Sequence, residues 1–383
     1  MTHPLINLRT TPHGGRSCFS TRPIAQGIQI LACEAPFAHA IYKDYRREVC
    51  AQCFAYAAST SRSMDDRRTW SIRSSGKGAE SVWFCTDDCR IVWESGRIGP
   101  LIAEINAVLA KSQITTRKKA KDVHDFLDPI FSSGPDMQIT QDAIDKAWRE
   151  AEDLASSHAR LFSYCSTMHL EDMELEIARL AASAIVQRYA FDHHLTNSCA
   201  LTTATSDPWA AVLDLQSGEL LNVRLRPYVL LAHLRVYAFL CHSLPKHLKQ
   251  YVSTIRPLLA RDTGNAFGIW DGDNRDEMLG WGVWVSASYF NHSKIPFSWW
   301  NLLRTQPSWA IEGCFPNLKR TRIGRTICFT TSRPVEAGEE LCISYIDINQ
   351  SLAVRKRELQ DSWFFECQCL RCRSEAIGET PQH

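Results

Sequence analysis

The clearest hydrophobic pattern lies in residues 280–293, GWGVWVSASYFNHS. An apolar and aromatic run ends abruptly there in three polar side chains. Such a run is typical of a buried segment. We therefore expect it to deliver Asn291 and His292 to a cleft.

A second pattern occupies residues 339–347, EELCISYID. Leu341, Ile343 and Tyr345 alternate with smaller residues, as expected when one face of a strand is buried. The pattern predicts a half-buried strand that carries Tyr345.

The rest of the chain divides into short strands and a long helical region. Turn residues at 14–15 and 25–27 punctuate residues 13–42, which predicts short strands there. Residues 98–261 show helical spacing instead. Apolar positions with that spacing include Leu101, Ile102, Ile105, Val108 and Leu109.

Composition narrows the class of protein. The 383 residues are 45% hydrophobic and 22% charged, which suits one large or two to three small globular domains. The formal net charge of +1 gives no signal for nucleic acid or a membrane surface. Residues 1–11 lack the apolar core of a signal peptide, and no apolar run reaches membrane-spanning length. We expect a soluble, monomeric protein in the cytoplasm, the nucleus or both.

Seven of the fifteen cysteines fall at metal-ligand spacings. The count is odd and no export signal precedes it, so zinc in a reducing compartment fits better than disulfides. Two close pairs predict one structural zinc site with four thiolates, and a later triplet has similar spacing. The pairs are Cys50, Cys53, Cys85 and Cys89, and the triplet is Cys367, Cys369 and Cys372.

Four motifs in order resemble the SET-domain lysine methyltransferases. They are residues 15–27, GRSCFSTRPIAQG; residues 264–269, GNAFGI; the Asn291-His292 segment; and the Tyr345 segment. With the inserted cysteine pairs, the chain is most similar to the SMYD (SET and MYND) family and its fungal SET6-like branch.

The resemblance implies an α+β fold, in which a SET-domain β-fold with a pseudoknot is interrupted by a small zinc finger and a helical insertion. The implied segments are residues 1–45 and 263–347 for the two parts of the SET domain, 46–95 for a MYND-like single-zinc finger, 96–262 for the helical insertion, and 348–383 for a post-SET cysteine-containing tail.

The resemblance also implies roles for individual residues. Tyr345 corresponds to the tyrosine at the methyl-transfer centre. The implied S-adenosylmethionine contacts are Gly15, Arg16, Ser17, Asn265, Asn291 and His292, with Ser17 standing where the family usually has glycine. The implied walls of the substrate channel are Tyr289, Trp363, Phe364 and Phe365.

The chain departs from the family in both cysteine sets. A full MYND finger has a second set of ligands that is not visible here, so the finger is reduced. After Ser293 the family continues Cys-x-Pro-Asn, and that cysteine completes the post-SET zinc site, whereas here Lys294 follows. Either another group such as Cys314 substitutes, or the site binds zinc weakly or not at all.

These sequence features are compatible with two alternative functions. The first is S-adenosylmethionine-dependent N-methylation of a lysine in a protein substrate. The alternative is a diverged SET fold that acts on a small biosynthetic molecule or binds a partner without methylating lysine. Lys294, the reduced finger and the Trp-rich residues 297–309 motivate the alternative, whereas Asn291, His292 and Tyr345 favour the first.

Overall fold

The structure is a computed structural model in which the chain falls into two units. Residues described are 4–11, 15–57, 69–74, 82–116, 127, 139–195, 207–271, 277–292, 314, 316–367 and 369–378. The first unit comprises Met1–Ala35, Ala200–Ser206 and Trp284–His383, and the second comprises Pro36–Cys199 and Asp207–Val283. Lys294 and residues 297–309 lie outside the described residues. The five predicted segments remain a prediction.

Short strands and longer helices follow one another in blocks along the described parts of the chain. The strands are β1 Ile6–Thr11, β2 Gly15–Ser20, β3 Gln29–Cys33, β4 Ala38–Ile41, β5 Ile72–Arg73, β6 Trp83–Phe84, β7 Ala266–Trp270, β8 Met278–Val283, β9 Leu318–Ile323 and β10 Thr326–Thr331. The helices are α1 Asp87–Ser95, α2 Ile98–Thr116, α3 Gln141–Ser156, α4 His158–Thr167, α5 Asp172–Asp192, α6 Pro208–Leu213, α7 Glu219–Leu225, α8 Tyr228–Ser243, α9 Lys246–Lys249, α10 Ile255–Asp262, α11 Leu352–Trp363 and α12 Leu370–Gly378. This mixture confirms the predicted α+β class.

The first unit contains small antiparallel sheets together with helices α11 and α12. β1 pairs with β2, and a second sheet has the order β3-β10-β9. The predicted turns lie where glycines adopt positive φ, 65° at Gly15 and 82° at Gly27. Glycine tolerates this conformation because it has no Cβ.

The segment predicted as a half-buried strand, residues 339–347, differs from the prediction. It makes only isolated bridges, Phe19 with Glu340 and His292 with Ile343. Leu341, Cys342 and Ile343 are all buried in succession, so the segment is covered on both faces. Alternation in the sequence could not reveal this, because neighbours from distant parts of the chain cover the second face.

Helix α5 is the centre of the second unit. It packs against β4, α2, α8 and α10. Its N-terminus is a capping box, in which Glu171 and Glu174 satisfy each other's backbone amides. The sheet order is β4-β8-β7, and a Cβ on Gly280 would lie 2.2 Å from the Ala40 carbonyl oxygen. Glycine is required there for β4 and β8 to approach.

The helical region predicted over residues 98–261 is confirmed by α2 to α10. Within the described ranges, no helix combines the length and apolarity needed to cross a membrane. The buried carboxylate of Glu219 lies where these helices meet. Trp148 Nε1 donates to its Oε1 at 2.9 Å, and Arg256 Nη2 donates to its Oε2 at 2.9 Å.

His233 of α8 makes the stability of this helical region depend on pH. Burial lowers its pKa from 6.5 to about 4, against an opposing effect of Glu219. The unfolded chain therefore takes up the proton first as the pH falls, and the free energy of unfolding drops from about pH 7 towards pH 4. We expect His233→Gln to remove up to about 3 kcal/mol of that loss, measured by urea unfolding at both pH values.

The control for this measurement is His158→Gln, which changes an exposed histidine. Burial raises the pKa of Asp262 to about 6, which acts in the opposite direction but equally in all three proteins. If His233→Gln and the unmodified protein lose stability in parallel, His233 does not titrate as described.

Candidate active site and metal centres

The amide of Asn291 is held by the start of β2. A 3₁₀ helix, Ala287–Tyr289, and the fully buried Phe290 precede it and fix its position. Asn291 Nδ2 donates to the hydroxyl oxygen of Ser17 and to the carbonyl oxygen of Arg16 at 3.3 Å. Asn291 is thereby brought together with Arg16 and Ser17, which are more than 270 residues away in the sequence.

Ser17 is the centre of this arrangement. Its side chain is fully buried, and its hydroxyl donates to Glu340 Oε1 at 2.5 Å while accepting from Asn291. The hydroxyl group therefore acts both as a hydrogen-bond donor and as an acceptor. The serine in place of glycine therefore adds a side-chain link between Asn291 and Glu340.

The Tyr345 segment passes beside the Asn291 segment. Leu341 N donates to Cys18 O at 2.8 Å, and Ile343 N donates to Asn291 O at 3.0 Å. These main-chain hydrogen bonds place residues 340–345 between β2 and Asn291. The two motifs that the sequence paired are thus adjacent in the first unit.

The hydroxyl of Tyr345 points at the main chain that carries Asn291. Tyr345 Oη donates to Phe290 O at 3.1 Å. Burial, with smaller contributions from Cys342 and Glu340, raises the pKa of Tyr345. The phenol consequently stays protonated at neutral pH and can act as a hydrogen-bond donor but not as a base.

Aromatic rings surround Tyr345. Its ring centroid lies 5.4 Å from that of Trp363, 6.4 Å from Phe365 and 5.5 Å from His292. Phe364 ends α11 in a left-handed conformation, with φ 61°, and separates Trp363 from Phe365. These rings form an apolar wall beside Tyr345, and burial against such a wall disfavours a charge that has no partner.

Two predicted site residues have other surroundings. The ring of Tyr289 lies against Arg16, whose guanidinium carbon is 5.1 Å from its centroid. Asn265 belongs to the second unit, where its Nδ2 donates to Gln216 O at 3.0 Å and Arg261 O at 2.6 Å. The structure therefore gathers the other predicted cofactor contacts in the first unit, while the Asn265 amide supports the helix end that precedes β7.

The first cysteine cluster is formed by the two predicted pairs. The ligand atoms of Cys50, Cys53, Cys85 and Cys89 all lie within 4.8 Å of one another. Cys85 Sγ is 3.5 Å from Cys53 Sγ and 3.6 Å from Cys89 Sγ. A tetrahedral zinc with Zn–S bonds of about 2.3 Å separates its sulfurs by about 3.8 Å, so the donor set fits zinc.

The second cluster contains the predicted triplet and Cys314. Cys314 Sγ lies 3.7, 3.3 and 3.5 Å from the sulfurs of Cys367, Cys369 and Cys372, respectively. All four residues are buried. Hydrogen bonds with the other three thiols, and then burial, raise the pKa of Cys314. A divalent cation would instead stabilise four thiolates, so these residues also fit zinc.

Cys314 was only one option for the fourth ligand in the sequence, although a local signal identified it. Residues 314–317 read Cys-Phe-Pro-Asn, which is the Cys-x-Pro-Asn continuation that is expected directly after Ser293. Residues 294–313 stand between the two halves of the motif. Asn317 is buried, and its Oδ1 accepts from Cys342 N at 2.8 Å, which fixes the start of β9 beside the Tyr345 segment.

His292 connects the second cluster to the Tyr345 segment. Its Nδ1 accepts from Tyr345 N at 3.2 Å, so the ring proton lies on Nε2, which is 3.6 Å from Cys314 Sγ. The ring is 1% exposed. An imidazole in this position orients a sulfur ligand and the main chain of Tyr345 together.

Comparison with known proteins identifies the family. The SET domain family matches residues 15–346, so the chain belongs to the SET domain family. This confirms the resemblance seen in the sequence and the predicted methyltransferase class.

Individual relatives differ in how much of the chain they cover. The protein "Potential protein lysine methyltransferase SET6" of Saccharomyces cerevisiae is 28% identical over 97% of this chain and 96% of its own length. A SET and MYND domain-containing protein of Dictyostelium discoideum is 32% identical over 35% of this chain. The histone-lysine N-methyltransferase SMYD3 of Mus musculus is 30% identical over 29% of this chain. The chain spans about a quarter of the Dictyostelium protein and a fifth of the mouse protein, at 27% and 21%.

We expect Cys314→Ser to lower the zinc content of the purified protein by about one ion per chain, because the second cluster loses its fourth thiolate. Zinc is counted by mass spectrometry of the metal. Cys328→Ser, which changes a buried cysteine outside both clusters, should leave the count unchanged. Equal zinc in all three proteins would exclude Cys314 as a ligand.

Proposed function

We propose that the protein is an S-adenosylmethionine-dependent protein-lysine N-methyltransferase with its active site around Asn291, His292 and Tyr345. The observation that carries the proposal is the hydrogen bond from the protonated Tyr345 hydroxyl to Phe290 O, next to Asn291, whose amide is held by β2. Aromatic rings lie beside Tyr345. SET-family membership supports the reaction class.

The donor set fits the cofactor. Bound S-adenosylmethionine supplies a methyl group on a positively charged sulfur. Asn291 and the Arg16 carbonyl would offer neutral hydrogen-bonding groups, Ser17 would position the Asn291 amide, and Glu340 adds a carboxylate. Main-chain groups of Gly15 and His292 complete the proposed contacts.

The protein's own residues would prepare the lysine amine. A lysine with a pKa of about 10.4 must lose a proton before its amine can attack. Burial among Trp363, Phe365 and Tyr345 would disfavour the charged ammonium and so lower that pKa. The Tyr345 hydroxyl would then orient the neutral amine. Orientation of this kind lowers the activation free energy by on the order of several kcal/mol.

Zinc would hold this wall in place. The buried core around the second cluster includes Ile346, Leu352 and Leu359, and Tyr345, Trp363 and Phe365 pack against it. Two four-thiolate sites require reduced cysteines, which supports an intracellular protein substrate in the cytoplasm or nucleus. The yeast relative's name, a potential protein lysine methyltransferase, supports a protein substrate.

Ser17→Ala tests the hydroxyl link between Asn291 and Glu340. We expect affinity for S-adenosylmethionine to fall about tenfold in calorimetric titration, because the Asn291 amide loses a buried partner. Ser20→Ala is the matched control, since Ser20 is equally buried on β2 but donates to Glu336 O. Its affinity should stay within about twofold. Equal losses in both variants would contradict a specific role for Ser17.

Tyr345→Phe tests the chemistry. We expect methyl transfer to protein lysines to fall by about a hundredfold or more, because the orienting hydroxyl is removed. The dissociation constant for S-adenosylmethionine should change little. Transfer is measured with labelled cofactor and a cell extract whose own methyltransferases are inactivated, followed by mapping of the labelled residue.

Asn291→Ala provides the complementary result, a loss of cofactor binding. Cofactor binding to the unmodified protein without any lysine labelling would favour the small-molecule alternative. Failure of folded protein to bind the cofactor would overturn the methyltransferase proposal itself.

A further inference from the structure

A partly open cavity of about 130 Å³ lies in the second unit, between β4, α2, α5 and the segment of the first cysteine cluster. Its walls are mainly apolar. They include Phe54, Trp93, Ile105, Leu109 and Val186, which are all buried. A cavity of about 150 Å³ with such walls can take up benzene, so this one has room for one ring or a short branched chain.

The lining changes character along α5. Arg179, Ala182, Ser183 and Val186 share one face of this helix and all line the cavity. From Arg179 to Val186 the helix rises about 10 Å. The cavity therefore has a basic end near Arg179 and an apolar end near Val186.

The basic end contains two arginines, and the cavity lining contains no carboxylate. Arg46 Nη2 donates to both oxygens of Glu176, at 2.5 and 2.6 Å, and Glu176 itself is not part of the lining. Arg179 Nε lies 3.9 Å from the same carboxylate, and its Nη1 donates to Asn106 Oδ1 at 2.9 Å. These three charged groups sum to one positive charge, in a place where the arginine side chains are only 16% and 9% exposed.

We propose that this cavity binds a small monocarboxylate with an apolar body, such as an aryl or branched aliphatic acid. The carboxylate would lie by Arg179 and Asn106, because a guanidinium fork matches the geometry of a carboxylate. The ring or chain would fill the space between Phe54, Leu109 and Val186. A monoanion also balances the charge of the Arg46, Glu176 and Arg179 group.

Such a ligand would touch both the finger and the helices. Phe54 and Val82 come from the cysteine-containing segment, and Val82 and Trp93 belong to the buried core around Cys50. Arg179 and Val186 come from α5. Occupancy would therefore couple the finger to the helical region. The inference does not rest on methyl transfer and can be tested without it.

The test is calorimetric titration of the zinc-loaded full chain with benzoate and with its neutral isostere benzamide. We expect saturable 1:1 binding of benzoate, with benzamide at least about tenfold weaker, because only benzoate gains charge-assisted hydrogen bonds. Absence of benzoate binding by folded protein, or equal affinity for both compounds, would overturn the proposal.

Substitutions in and near the cavity test whether benzoate and benzamide bind there. Arg179→Met should weaken benzoate about tenfold and leave benzamide unchanged, whereas Arg188→Met, on the same helix but outside the lining, should change neither. Ala182→Leu should fill the cavity and abolish binding of both compounds. If Ala182→Leu does not fold, Val186→Phe serves the same purpose. Benzoate binding that survives a folded cavity-filling variant would place it elsewhere and refute the inference.

Discussion

The contact of His292 with Cys314 is the interaction on which the arrangement of the first unit depends. One side of the imidazole accepts from the Tyr345 main chain, and the other side faces a sulfur of the second cysteine cluster. Because the ring is almost fully buried, it has little freedom to make other contacts. The second cysteine cluster and Tyr345 are consequently linked through one buried ring, so a metal held by these cysteines would bear directly on the position of Tyr345.

Several buried polar groups of this unit are likewise satisfied by neighbours distant in sequence. Ser17 bridges Asn291 and Glu340, and Asn317 accepts from Cys342. Buried polar groups are costly without partners, so such links favour a single arrangement of the chain. The serine that replaces the family's usual glycine is thus a structural part of the site.

The second unit joins the cysteine-containing segment, which has few apolar residues, to a group of packed helices. Four cysteines and a small core that includes Phe84 and Trp93 hold the finger together. Helix α5 supplies the opposing surface. Its Glu176 lies between Arg179 of the same helix and Arg46 of the segment that precedes the first cysteine pair. The packing is incomplete at this contact, which leaves the cavity. A ligand-sized space with a basic end is easier to explain by use than by chance packing, because protein interiors are normally filled.

The spacing of the cysteines in the sequence by itself identified seven of the eight that cluster. The family, the methyltransferase class and the α+β fold followed from the resemblance of four sequence motifs to the SET-domain proteins. The Cys-Phe-Pro-Asn sequence at 314–317 favours Cys314 as the fourth ligand, but only the tertiary structure showed that it completes the second cluster, because its partners lie more than fifty residues away. The same holds for the burial of residues 341–343 on both faces, for the surroundings of Asn265 and for the cavity, which five separate segments line. Local patterns record which face of a segment is apolar, but not which distant residues will cover it.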